Sequence, residues 1–198
     1  MNREEIKTLS ENNFISAWKV HDSDLMDKIV DYFENNQEDQ NEGVFGFDQI
    51  NKQYKNTTDI AMSPKKIEID NLKIFKDYIS DLNKCLIDYQ KQWEFFGKTF
   101  SNLHTSTFNI QKYEEGGHVK RWHTERSGLS TSHRMLAWIT YLNDVEKDGE
   151  TEFHYYNLKI KPEKGKTVIW PSEWTHAHRG NSTPTIKYVI TGWFHFGE

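Results

Sequence analysis

Cysteine is almost missing from this chain: Cys85 stands alone among 198 residues, so no disulfide can close within it. No stretch reaches the roughly 18 apolar residues that a membrane span requires. The leading MNREEIKTLS is polar and lacks the apolar centre of a secretion signal. Basic charge is not in excess either, since 25 Lys and Arg face 30 Asp and Glu for a formal net charge of -5. The two signs are interspersed, which argues against a surface built to follow a phosphate backbone. These absences lead us to expect a soluble protein of the reducing cytoplasm, with neither nucleic acid nor membrane as a partner.

Aromatic residues, by contrast, are plentiful. They make up 14% of the chain, with seven Trp and twelve Phe, too many for a disordered chain despite a mean hydropathy of -0.86. The length suits a single domain over 1–198 with a substantial core.

The first hundred residues read as mainly helical. Phe14, Trp18 and Val20 share one parity and suggest an edge strand. From Asp22 or Ser23, either of which can cap, Leu25, Met26, Ile29, Val30 and Phe33 recur at helical spacing to about Asn35. Residues 36–69 are polar and irregular, a candidate lid or a solvated surface loop. Asp70 then stands as the cap of a long helix whose Leu72, Phe75, Ile79, Leu82, Leu86, Tyr89 and Trp93 form one apolar face. Cys85 sits beside that stripe and reads as a packed thiol.

After Gly97 the pattern changes to short β-rich runs, TFNIQKY, MLAWITYL, LKIKP, TVIWP and KYVITGWFHF, with turns at EEGG, NDVEKDGE and PEKG. Helices followed by strands imply an α+β fold. Residues 1–100 form an N-terminal helical support region, and 101–198 an antiparallel sandwich or jelly roll.

Eight of the nine histidines lie in that second half, between His104 and His195. His123 and Glu125 are two apart, and on a strand they share a face. His176 and His178 share a face in the same way, and Lys187 follows on an apolar strand. Two histidines and a carboxylate suit non-haem Fe(II) with open positions, and they also suit catalytic zinc. An ammonium on an inward face needs an anionic partner. Lys187 groups with Val189, Thr191 and Trp193, the opposite parity with Tyr188 and Ile190, and alternation leaves open which set faces inward. Trp193 and Tyr113 also fit as core aromatics, Thr151 as a turn residue, and Arg134 as a strand-end cap outside the site.

Taken in order, Tyr113 and Gly116, His123 and Glu125, TYLNDV, DGETEF, KPEKGKTVIWP, HAHRG, Lys187 and Trp193 resemble the prolyl 4-hydroxylase-like branch of the Fe(II)- and 2-oxoglutarate-dependent dioxygenases. The resemblance covers residues 107–196 and implies a double-stranded β-helix. It implies His123, Glu125 and His178 as iron ligands, with His178 preferred to His176 because HRGNS resembles the family's HxxxP run. Lys187 would pair with the far carboxylate of 2-oxoglutarate. Tyr113 and Thr151 would hydrogen-bond this co-substrate, and Trp193 would wall the pocket. Two departures are visible: Glu125 stands where the family has aspartate, and DGET replaces GGET.

The activity implied is hydroxylation of an aliphatic carbon, with a peptidyl proline as the suggested target and a small molecule as another, releasing succinate and CO2. O2 is the second co-substrate and ascorbate an optional reductant; the chain would act as a monomer or small homo-oligomer. The rival classes are a zinc-dependent hydrolase and a non-catalytic jelly-roll binding module.

Overall fold

A computed structural model describes residues 2–6, 8, 12–20, 22–44 and 50–196. In chain order the strands are β1 (Asn2–Glu4), β2 (Ser16–Lys19), β3 (Asn41–Glu42), β4 (Lys55–Asn56), β5 (Thr58–Met62), β6 (Leu103–Thr105) and β7 (Phe108–Tyr113). They continue with β8 (His118–His123), β9 (Arg134–Tyr141), β10 (Thr151–Phe153), β11 (Leu158–Ile160), β12 (Lys166–Pro171), β13 (His178–Gly180) and β14 (Lys187–Phe196). Four α-helices accompany them: α1 (Ser23–Asn35), α2 (Pro64–Ile69), α3 (Lys73–Gln92) and α4 (Glu94–Thr99).

The strands form two antiparallel sheets. The larger runs β1-β2-β12-β9-β14-β7-β5-β3, with β6 also paired to β14; the smaller runs β11-β10-β13-β8-β4. Side chains alternate across a strand, so the larger sheet has two buried faces feeding two cores. Tyr188, Ile190 and Phe194 of β14 and Leu136 and Trp138 of β9 pack against the helices. Val189, Ala137 and Tyr141 from the same strands meet Phe153 and Ile160 of the smaller sheet. The second core is the interior of the sandwich, and it is where the chemistry-bearing residues gather.

α1 begins where the spacing predicts, with the Asp22 side chain accepting from the Asp24 amide, and it buries Met26, Ile29 and Phe33. α3 buries Phe75, Tyr78, Leu82, Cys85, Leu86 and Tyr89. Each large apolar side chain so buried contributes about 1.5–3 kcal/mol relative to exposure. Polar ties fix its register on the sheet: Trp18 Nε1 donates to Asp88 Oδ2 at 2.9 Å, and Trp138 Nε1 to the Tyr78 hydroxyl at 3.0 Å.

Several expectations are corrected. Asp70 does not cap α3; it is the C-cap of α2, a helix missed from the pattern, and Leu72 occupies the N-cap of α3. α2 starts at Ser63, whose hydroxyl accepts from the Lys66 amide, with Pro64 at the first helical position. The 36–69 segment is not an irregular loop where it is described, because β5 pairs with β7 and β4 with β8; residues 45–49 lie outside the described residues. β2 is not an edge strand, since β1 and β12 flank it. Strands from the first hundred residues thus extend both sheets, and residue 100 does not divide helices from strands.

Candidate metal and co-substrate site

β8 and β13 are neighbours in the smaller sheet, and their register puts His123 directly opposite His178. The two rings lie with centroids 4.4 Å apart. Each imidazole is oriented from behind: His123 Nδ1 lies 2.9 Å from the Arg121 carbonyl oxygen and His178 Nδ1 lies 3.0 Å from that of His176. Nδ1–H bonded to a carbonyl is the tautomer whose Nε2 can serve as a metal ligand.

Glu125 completes the cluster. Its Oε1 is 3.2 Å from His178 Nε2 and 3.7 Å from His123 Nε2. One ligand atom from each of the three residues lies within 4.8 Å of the others, making this a group that could hold a metal ion. The carboxylate does not arrive there by strand parity, however. β8 ends at His123 and Glu125 sits on the bend beyond it. The bend is tied down on both sides: Thr124 Oγ1 and the Arg126 amide donate to the Ser172 carbonyl at 2.7 and 3.1 Å, and Arg134 Nη1 donates to the Glu125 carbonyl at 3.1 Å.

Charge is tuned to match. Burial pushes the His123 pKa down, and the facing His178 pushes it further, to about 4, so the ring is neutral at pH 7. Burial works to raise the Glu125 carboxyl. It is outweighed by the two facing imidazoles and the Trp193 N–H, which hold the pKa at about 2. A carboxylate between two imidazoles is the donor set that a divalent transition metal accepts.

His176 points elsewhere. Its Nε2 lies 2.9 Å from the Asn13 carbonyl oxygen and 3.2 Å from the Tyr156 hydroxyl, so it ties the segment before β2 to the sandwich.

The remaining sequence-predicted residues line the same sandwich interior. Lys187 is 2% exposed and pairs across strands with Tyr113. Its Nζ donates to the Gly149 carbonyl at 2.8 Å and lies 4.2 Å from the centre of the Tyr113 ring. No carboxylate of the described residues forms an ion pair with it, and burial, opposed by the more distant Glu150, pulls its pKa down to about 7. Thr151 is buried, and its Oγ1 accepts from the Tyr141 hydroxyl at 2.7 Å. Trp193 Nε1 donates to Glu125 Oε2 at 2.7 Å.

Arg134, set outside the site on sequence grounds, belongs beside it. Its guanidinium stacks on the Trp193 ring at 3.6 Å and lies 3.8 Å from Glu125 Oε2. The signal available was a cation opening an otherwise apolar strand. Trp170 was not singled out from the sequence either, and it packs edge-on against His178 at 4.9 Å. Its buried Nε1 has no hydrogen-bond partner among the described residues.

A profile of the 2OG-Fe(II) oxygenase superfamily matches residues 108–195. The chain is 32% identical over 119 residues to probable prolyl 4-hydroxylase 9 of Arabidopsis thaliana, covering 46% of this chain and 41% of that protein. It is 28% identical over 123 residues to prolyl 4-hydroxylase 13 of the same plant, covering 48% and 44%. The chain therefore spans less than half the length of these curated relatives. Among solved structures, a Pseudomonas putida prolyl-4-hydroxylase superposes with a TM-score of 0.70 at 16% identity, over 94% of this chain and 95% of that one. A Trichoplax adhaerens prolyl hydroxylase, solved with a hypoxia inducible factor peptide fragment, gives 0.70 at 12% identity over 93% and 84%. The shared fold is the double-stranded β-helix expected from the sequence, here with helices on the outer face of its larger sheet.

Proposed function

We propose that this chain, which is prolyl 4-hydroxylase-like and matches the 2OG-Fe(II) oxygenase superfamily over residues 108–195, is an Fe(II)- and 2-oxoglutarate-dependent dioxygenase hydroxylating an aliphatic carbon. A peptidyl proline is the substrate class we favour. The observation that carries the reading is the convergence of His123, Glu125 and His178 ligand atoms within 4.8 Å. The same sandwich interior holds Lys187, buried and in no ion pair among the described residues.

The residues fit the group. Two imidazoles and one carboxylate would hold Fe(II) and leave positions open. Bound iron, with 2-oxoglutarate and O2, supplies oxidative decarboxylation to succinate and CO2 coupled to hydroxylation of an unactivated carbon.

The chain's own contribution is placement and charge. Lys187 would pair with the far carboxylate of the co-substrate, a charge-assisted contact strengthened by the dry surroundings. Thr151 would donate its hydroxyl proton to the same anion, since its oxygen already accepts from Tyr141. Tyr113 would support Lys187, and Trp193, held on Glu125, would wall the metal. Water exclusion follows from the packing of Trp170 and Phe153 around His178.

We place the protein in the cytoplasm, acting as a monomer or small homo-oligomer. Support for a reducing compartment comes from Cys85, buried and unpaired, whose thiol burial pushes up to about 12. No helix among the described residues is long and apolar enough to cross a membrane.

The test is succinate formation by purified protein supplied with Fe(II), 2-oxoglutarate and air, together with prolyl peptides followed by mass for the gain of one oxygen atom. Omission of any one of the three should abolish turnover. Succinate release that persists without Fe(II) or without O2 would refute the reading.

A further inference from the structure

Another buried lysine of the sandwich, Lys55, sits in an arrangement that the functional reading does not use. Lys55 of β4 pairs with Val119 of β8, so it projects from the face that carries Val119 and His123, toward the sandwich interior. There its Nζ meets Asp59 Oδ2 at 2.6 Å, with both side chains about nine-tenths buried. Asp59 belongs to β5 of the other sheet, so the ion pair bridges the two sheets. Thr57 Oγ1 donates to Asp59 Oδ1 at 2.7 Å.

A polarity chain starts at this carboxylate. Asp59 can only accept, so the Gln111 amide across the strand pair must present its nitrogen, and Nε2 donates to Asp59 Oδ2 at 3.2 Å. The Gln111 oxygen is thereby turned the other way. That oxygen can only accept, so the Tyr113 hydroxyl must donate to Oε1, at 2.9 Å. A phenol has one proton, and this one is committed. Its ionisation is suppressed as well, because burial and the Asp59 and Tyr141 charges push the Tyr113 pKa upward.

We infer that Asp59, acting through Gln111, locks the Tyr113 hydroxyl away from the co-substrate, so that Tyr113 serves the 2-oxoglutarate site through its ring beneath Lys187. The hydroxyl donor to the anion is then Thr151 alone of the two. The inference rests on the proposed function, and it replaces the hydrogen-bonding role that family resemblance implies for Tyr113. Asp59 and Gln111 become positioning residues, neither of them needing to touch the co-substrate.

The chain of polarity is reversible by design. In a Lys55→Met/Asp59→Asn background no buried cation is left unpaired. The new amide can accept from Thr57 and turn its nitrogen toward Gln111; Gln111 then donates to Tyr113, and the phenolic proton is released toward the pocket. Gln111→Met frees the same proton by removing its acceptor and leaves the ion pair intact.

The measurement is the dissociation constant of 2-oxoglutarate for Mn(II)-loaded protein by titration calorimetry, for each background with and without Tyr113→Phe. Loss of the hydroxyl should weaken binding by less than about threefold in the native background and by about tenfold or more in either released background, the difference expected of one charge-assisted hydrogen bond. Tyr113→Leu, which removes the ring, should weaken binding in every background. Equal losses in all backgrounds, or the largest loss in the native one, would overturn the inference while leaving the enzyme reading intact. A native protein that takes up no 2-oxoglutarate would sink both.

Discussion

Trp193 of β14 donates its indole N–H to Glu125 Oε2 at 2.7 Å, while the other oxygen of that carboxylate faces His123 and His178. The larger sheet therefore holds, from across the sandwich, the carboxylate that the bend after β8 presents. Glutamate reaches one methylene further than an aspartate would, and this bond is what fixes the longer side chain. Trp193→Phe keeps the wall and removes the donor. Metal affinity should fall about 10–100-fold, as for loss of an outer-shell partner, with the fold unchanged by circular dichroism. Competition with a chelator measures it.

Lys187 gives a pH signature. Its folded pKa is about 7 against an ordinary 10.5, so between those values the unfolded chain binds the extra proton. Stability of the metal-free, co-substrate-free protein should therefore rise as pH climbs from about 7 toward 10.5, and the penalty should be fully present below 7. Denaturant titrations across that range check the slope. 2-Oxoglutarate favours the charged lysine, so binding at pH 8 should take up a proton, visible as dependence of the calorimetric heat on buffer. Lys187→Met should abolish that uptake and weaken binding about 100-fold.

Close packing behind the site is as exacting. A Cβ on Gly192 would lie 2.5 Å from the Trp138 ring and 2.9 Å from the Phe108 Cβ. Gly192→Ala should cost about 1–3 kcal/mol, read as a lowered denaturation midpoint.

Cys85 should be inert. With its thiol buried in the α3–sheet core and its pKa raised to about 12, it should react with a thiol reagent only as fast as the protein unfolds. Labelling at native pH comparable to that of a free thiol would contradict that packing.

Amphipathic periodicity made α1 and α3 legible, because one face of each is wet and the other meets the sheet. α2 was hidden by its charge: only Ile67 of PKKIEI is buried, and the Ser63–Pro64 start signal was the readable part. β5 buries Asp59, Ile60 and Met62, so polar and apolar residues are covered alike and alternation says little. The same physics explains why parity could not orient Lys187. β14 runs through the middle of a sheet covered by helices on one face and by strands on the other, and apolar residues occupy both.

The residues of the proposed site were legible where order along the chain carried them. His123 and His178 meet because β8 and β13 pair, which their short sequences do not advertise. Glu125 arrived by a turn that period-two counting does not describe. Arg134 and the Asp59–Gln111 relay come close to the site only through long-range strand pairing.

The most direct measurement is metal stoichiometry under nitrogen, by elemental analysis of protein reconstituted with Fe(II), for the native chain and for His123→Ala, Glu125→Ala and His178→Ala. One equivalent of iron should be retained by the native protein and lost from each variant, with His176→Ala retaining it. Full iron loading of all three variants, or none in the native protein, would contradict the assignment of these residues as the metal centre.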